Sequence, residues 1–311
     1  MRKENMSNVP SILAGLFMAS FFTGCATTSS GEYTAQWSQD KPKTIQLDNG
    51  FTLRYLRTGN GPPLVLMHTI RTQLDYFKRL VPALKNRYEV YALDLPGHGQ
   101  SSILPVEYTE ELFRKSVSEF ITKLDLQDVT LVGESIGGVL ALTVSTELPN
   151  KVAQVVALNP YDYGEKFGGG IRRSSNGWII SLFNVFGAYT IEPRFVLAAI
   201  LRGGFYDPSR LPEDLLTEFY RTGKRDGYRR VEYSVFRNWR TWIEARKLYS
   251  GITVPVTLVY SRDDWSKPIE RERNRLTIPD AELITIDNAG HFASLEKPAQ
   301  ISNIVLSQRA Q

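Results

Sequence analysis

The stretch that decides the reading of this chain is Val129-Thr130-Leu131-Val132-Gly133-Glu134-Ser135-Ile136-Gly137-Gly138, followed by Val139-Leu140-Ala141-Leu142. Val129 to Val132 is a short apolar, β-branched run, the pattern of a buried strand. Residues 136–148 read as a helix. Gly133-Glu134-Ser135-Ile136-Gly137 lies at the junction. A bare Gly-x-Ser-x-Gly is a weak signal, and an ordinary glycine-rich turn is its bland reading. Between a strand and a helix it carries a mechanism. A serine on so sharp a turn needs neighbours without bulk, and the flanking glycines meet that need. The helix N-terminus behind the serine favours developing negative charge.

Working outward, apolar runs alternate with helical patterns. Residues 44–57 (TIQLDNGFTLRYLR) read as two strands turning at Asn49-Gly50, a strong hairpin signal. Further strands are expected at Leu64–Met67, Tyr88–Leu93, Val152–Leu158, Val254–Tyr260 and Ala281–Ile286. Helices are expected over 73–85, 109–124, 268–276 and 296–308. This alternation predicts an α/β fold: a mostly parallel central sheet flanked by helices. In such sheets functional residues gather just after the strands.

Residues 161–250 break the rhythm. WIISLFNVFG and PRFVLAAILRG read as short helices, and Leu211 to Gly223 as a helix opened by Pro212 and two acids. Asp226 is a candidate cap for a long helix running to about Tyr249. The segment is therefore expected to be a helical insertion. It holds 18 aromatic residues, including Trp178, Trp239 and Trp242. Packing of an extra helical layer accounts for most of them, and some are expected to line an apolar pocket. Gly168-Gly169-Gly170 is a candidate hinge. No phosphate-loop lysine spacing follows it, which argues against a nucleotide site.

The chain has 311 residues, 37 Lys+Arg against 33 Asp+Glu, one cysteine and three histidines. This composition excludes a disordered chain and a disulfide scaffold. The net charge of +4 concentrates in 161–250, which carries +5. A basic insertion suggests anionic substrates or a phospholipid surface. No continuous basic stripe with interleaved aromatics points to nucleic acid. The scattered histidines and lone cysteine give no metal spacing, and no cofactor is implied.

A serine near its free pKa needs a base. His98, in LDLPGHGQSS, reads as a structural turn residue. His68, ending a strand, reads as a shaper of the neighbouring loop. His291, in IDNAGHFASLEKP just past the last strand, is the candidate base; a free loop histidine is its bland reading. A carboxylate should orient that imidazole. Asp263 and Asp264 both follow the strand VTLVY, and either serves by position alone. Asp162, after another strand, is a third option.

These motifs resemble the α/β-hydrolase family over about residues 44–309, with a triad in the order Ser…Asp…His. The resemblance implies Ser135 as nucleophile, His291 as base and Asp264 as the acid. It makes 161–250 a cap over the core formed by 44–160 and 251–311. It also implies an oxyanion hole from the backbone N–H groups of Ile136 and Ile70. Thr69 stands where the family has glycine, so this loop is expected either to take ordinary angles or to alter the hole. Neighbouring Arg71 is a candidate contact for a substrate carboxylate, although such an arginine is more often structural.

The expected activity is that of a serine hydrolase cleaving a carboxylic ester or related acyl bond of a small, mostly apolar substrate, in the manner of a carboxylesterase or lipase. A C–C bond hydrolase, or an acyltransferase or perhydrolase, would share the same motifs. A catalytically silent binding lipoprotein is the non-enzymatic alternative.

At the N-terminus, Arg2 and Lys3 precede an uncharged run of 14 residues, Val9–Phe22. That is short for a spanning helix and suits the core of a secretory signal. Phe22-Thr23-Gly24-Cys25 resembles the lipobox of bacterial lipoproteins. Residues 1–25 are thus expected to be a signal peptide, Cys25 a lipidation site, and 26–43 a polar linker. The expected location is the bacterial cell envelope, with the protein exported and tethered to a membrane.

Overall fold

The computed structural model describes residues 37–163 and 193–308. The signal-like segment 1–25 with Cys25, the glycine run at 168–170 and Trp178 lie outside the described residues. Eight strands form one sheet: β1 (Lys43–Gln46), β2 (Thr52–Thr58), β3 (Pro63–Met67), β4 (Glu89–Leu93), β5 (Val129–Glu134), β6 (Val152–Leu158), β7 (Val256–Ser261) and β8 (Glu282–Ile286). Their spatial order is β1-β2-β4-β3-β5-β6-β7-β8. Only the β1–β2 and β2–β4 pairings are antiparallel, and the remaining five are parallel. The hairpin turns at Asn49-Gly50 as expected, with Gly50 at φ +89.

The central strands are apolar on both faces because both faces are covered. Along β3, Leu64 and Leu66 enter one core cluster while Val65 and Met67 enter the other. The covering helices are α1 (Val81–Leu84), α2 (Glu110–Lys123), α3 (Ile136–Glu147), α4 (Arg194–Arg202), α5 (Glu213–Thr222), α6 (Tyr228–Arg237), α7 (Trp239–Glu244), α8 (Pro268–Thr277), α9 (Ala293–Glu296) and α10 (Pro298–Ser307). Thr109 caps α2, its side chain accepting from the Leu112 N–H at 3.2 Å.

Three expectations are corrected. The helix expected over 73–85 is a 3-10 turn, Leu74–Phe77, and the single turn α1. Pro82 sits at the start of α1, where its missing N–H is harmless, so the two pieces do not join. The long helix from Asp226 starts at Tyr228 after Gly227 at φ +82, and it breaks at Asn238 between α6 and α7. The linker to residue 43 is anchored before it ends. Trp37 donates to Asp75 at 2.6 Å and Thr58 donates to Asp40 at 2.5 Å. Between β6 and β7 the described residues are helical, α4 to α7 with short 3-10 turns.

Candidate active site

The chain turns from β5 into α3 at Ser135, whose φ of 62 and ψ of −120 are unusual for a residue with a Cβ. Such strain costs roughly 1–3 kcal/mol and persists only where the surroundings impose it. Here they do. The Ser135 N–H donates to Leu158 O at 3.0 Å, and Ser135 O accepts from Val139 N at 3.2 Å and Tyr161 N at 3.1 Å. The flanking glycines have steric reasons. A Cβ on Gly133 would lie 2.0 Å from Gly137 O, and one on Gly137 would lie 2.0 Å from Met67 O.

His291 lies between β8, the edge strand three places from β5, and α9. Its Nε2 is 2.9 Å from Ser135 Oγ and its Nδ1 is 2.5 Å from Asp264 Oδ1. All three side chains are buried. The bond to Asp264 places the proton on Nδ1 and leaves Nε2 free to accept from the serine. Among the three acids, Asp264 is the one against the imidazole. Asp263 is exposed. Asp162 is turned to Tyr249 Oη and Asn274 Nδ2, each 2.8 Å from its Oδ2.

Burial alone would raise the Asp264 pKa. The His291 imidazole and the Ser266 donors outweigh it and hold this carboxyl below the usual range. Ser266 gives Asp264 Oδ2 its backbone N–H at 2.9 Å and its hydroxyl as well. Arg271 Nε donates to that hydroxyl oxygen at 2.9 Å.

The loop carrying His291 is fastened from both sides. Asn159 Nδ2 donates to His291 O at 3.1 Å, and the His291 N–H donates to Gly204 O at 2.6 Å. Glu296 accepts from Gly290 N at 2.7 Å, Tyr206 N at 3.0 Å and Asp207 N at 3.1 Å. Residues of the helical insertion therefore help hold His291. Trp265 stacks on the His291 ring, with centroids 4.0 Å apart and planes 15° apart, while its Nε1 donates to Gly203 O at 3.1 Å. Sequence reasoning missed Trp265, Asn159 and Glu296 as supports. Trp265 stands beside Asp264, but no spacing reveals a stack onto a ring 26 residues away.

Glu134, immediately before Ser135, was also missed as a titratable group. Burial pushes it up to about 7, against donation from Ser294 and Tyr76 and the pull of His291. Tyr76 Oη donates to its Oε2 at 2.7 Å.

His68 and His98 are not part of the triad. His68 Nε2 accepts the Leu95 N–H at 3.0 Å, so its proton is on Nδ1 and donates to Thr69 O at 2.7 Å. Burial lowers His68 to about 4 and His98 to about 3, and both stay neutral at neutral pH. Thr69 and Ile70 take ordinary negative φ values, and the left-handed residue of this loop is Arg71 at φ 65. Ile136 opens α3, where the first N–H groups have no partner within the helix.

Ser135, His291, Ile70 and Ile136 line one cavity. Its walls are largely apolar, with Ile200, Val235, Trp239 and Trp242 contributed by the helical insertion. Arg71 also lines it. Four described cations of the insertion pair with acids of the same segment: Arg194 with Glu213, Arg210 with Asp207, Arg221 with Glu218 and Arg229 with Glu232. Among the described residues no cluster of three or more potential metal ligands occurs.

A strained serine at a strand-to-helix turn, backed by histidine and aspartate at the ends of a parallel sheet, defines the class. The chain belongs to the α/β-hydrolase fold family, whose model matches residues 62–298, and it is a hydrolase of that fold. It is 36% identical over 117 residues to the (E)-2-((N-methylformamido)methylene)succinate hydrolase of Acinetobacter baylyi. That match covers 38% of this chain and 44% of the relative, so the chain spans less than half of that protein. The meta-cleavage product hydrolase of Pseudomonas fluorescens IP01 superposes with a TM-score of 0.70 at 21% identity, over 85% of this chain and 96% of its own. An E-2-(acetamidomethylene)succinate hydrolase superposes with a TM-score of 0.70 at 19% identity, over 86% of this chain and 98% of its own. These two likenesses show the fold alone.

Proposed function

We propose that the protein is a serine hydrolase acting on an ester or related acyl bond. The observation that carries this reading is the continuous contact from Ser135 Oγ through His291 to Asp264, set in an apolar-lined cavity. Ser135 attacks the acyl carbonyl while Nε2 of His291 takes its proton. The proton then goes to the leaving oxygen, and the same base activates water to release the acyl group. Asp264 keeps the imidazole in the accepting tautomer and balances its charge once protonated. The N–H groups of Ile136 and Ile70 stabilise the oxyanion. The helical insertion serves as a cap that excludes water.

A C–C bond hydrolase is the second reading, favoured by the meta-cleavage product hydrolase among the structural relatives. A panel of p-nitrophenyl esters run beside a vinylogous diketone separates the two. Turnover of esters, lost in Ser135→Ala, supports the first. Turnover of the diketone alone overturns it.

We further propose export and lipidation at Cys25, on the basic start, the short apolar run and the cysteine position. Mass spectrometry of the membrane-extracted protein tests this. A mature chain beginning at a diacylated Cys25 is the expected result, and an unmodified Cys25 contradicts it.

A further inference from the structure

We infer that Glu134 is a positioning residue for the base: its carboxylate ties the His291 loop to the strand that leads into Ser135, and it places a second negative charge, besides that of Asp264, near the imidazole that gains the proton. This rests on the acyl-hydrolase reading and adds a residue to its machinery.

Glu134 ends β5 and directly precedes Ser135. Alternation along the strand puts it on the same face as Val132. Val132 belongs to the core cluster that also holds Tyr76, Phe292 and Leu295. Glu134 is fully buried. A carboxylate in such a place is costly unless donors or a positive charge meet it.

Two donors meet it. Tyr76 Oη donates to Oε2 at 2.7 Å, and the Ser294 N–H is shared between the two oxygens at 3.3 Å each. Ser294 lies in α9, three residues beyond His291. One side chain thus joins the segment of the nucleophile to the segment of the base. Glu134 does not line the cavity, so it acts on a substrate only through its neighbours.

Both donors are neutral, and a glutamine would accept from each of them. What a glutamate adds is charge. His291 is a source of positive charge acting on it, and the imidazolium favours its ionised form. The influence is reciprocal, so an ionised Glu134 favours the imidazolium. That imidazolium forms when His291 takes the serine proton. Burial sets the ionisation of Glu134 at about 7, so its charge is present above that pH and fades below it.

The neighbouring ionisable groups are engaged elsewhere or neutral. Burial and Glu134 itself push the Tyr76 phenol up, which keeps it protonated. Glu296 accepts from Gly290 N, Tyr206 N and Asp207 N. Asp75, on the same turn as Tyr76, accepts from Trp37 and Gln73. Arg79 donates to Leu295 O at 3.0 Å.

The test is the pH dependence of fluorophosphonate labelling at Ser135, which needs no known substrate. In Glu134→Gln both hydrogen bonds keep an acceptor and the charge is gone. The imidazole then holds its proton less firmly. The acid limb of the labelling rate is expected to move to lower pH by about half a unit or more, and the plateau rate to fall about three- to tenfold. Tyr76→Phe keeps the carboxyl and removes a donor to its charged form, so the limb should move the same way by about 0.3 unit. That variant decides the matter if Glu134→Gln does not fold. A purely structural acceptor would lower the rate and leave the limb in place. A limb that stays in place, or moves to higher pH, overturns the inference alone. Wild type that takes no label at Ser135 overturns the serine-hydrolase reading and this inference with it.

Discussion

Asp162 and Asp264 follow adjacent parallel strands, β6 and β7, and both are buried. Their surroundings drive them in opposite directions. Asp162 is hydrogen-bonded by the neutral donors Tyr249 and Asn274 and is also pulled down by the charge of Arg246, and burial outweighs all three and raises it to about 6. Asp264 meets His291, Ser266 and, through Ser266, Arg271, and it is held below the usual carboxylate range. Depth in the protein does not separate the two. What separates them is whether a partner gains from the negative charge. Asp162 ties the end of β6 to the 3-10 turn at Tyr249 and to α8, whereas Asp264 faces the His291 imidazole.

The largest expected effect breaks this comparison if it is wrong. Asp264→Asn should lower kcat/KM on a cleaved ester by roughly 10³–10⁴-fold, because the imidazole loses its tautomer control. Asp162→Asn should stay within about threefold. Comparable losses in the two variants would remove the distinction.

A second effect is read in stability. The folded pKa of Asp162, about 6, lies above its ordinary value of 3.8, so folding favours the protonated form. That contribution is present below about pH 3.8 and is lost as pH rises through about 6. Denaturant unfolding between pH 4 and 7 should show a decline that is smaller in Asp162→Asn, by on the order of 2–3 kcal/mol. Glu134 and Asp75, raised to about 7 and about 6, keep part of the slope in both proteins. Identical slopes would contradict the assignment.

The smallest effect concerns the stack over the base. Trp265→Ala should lower kcat by about tenfold, and Trp265→Phe by less than threefold, since a ring pair of this kind contributes about 1 kcal/mol. Equal kcat in all three proteins would reduce Trp265 to packing.

Much of the fold was legible because buried parallel strands are short and apolar and the elbow has a strand before it and a helix after it. Ser135, His291 and Asp264, the residues expected as nucleophile, base and acid, meet in space. By position alone Asp263, Asp264 and Asp162 remained open, since burial and partner choice depend on β8, α8 and the 3-10 turn near Tyr249. The broken helix at Asn238 was hidden because apolar spacing continues across it. The supports of His291 were hidden for a related reason. Glu296, Asn159 and Gly204 belong to three separate segments; the first two grip backbone groups of the His291 loop with their side chains and Gly204 accepts with its carbonyl, and bonds to the main chain carry no sequence signature.

The central claim is that Ser135 is a nucleophile activated by His291. Treatment with a fluorophosphonate, followed by peptide mass spectrometry, measures it without knowledge of the substrate. The account predicts one adduct, on Ser135, absent in Ser135→Ala and formed far more slowly in Asp264→Asn. Labelling of Ser135→Ala at the wild-type rate, or an adduct on another residue, would contradict it.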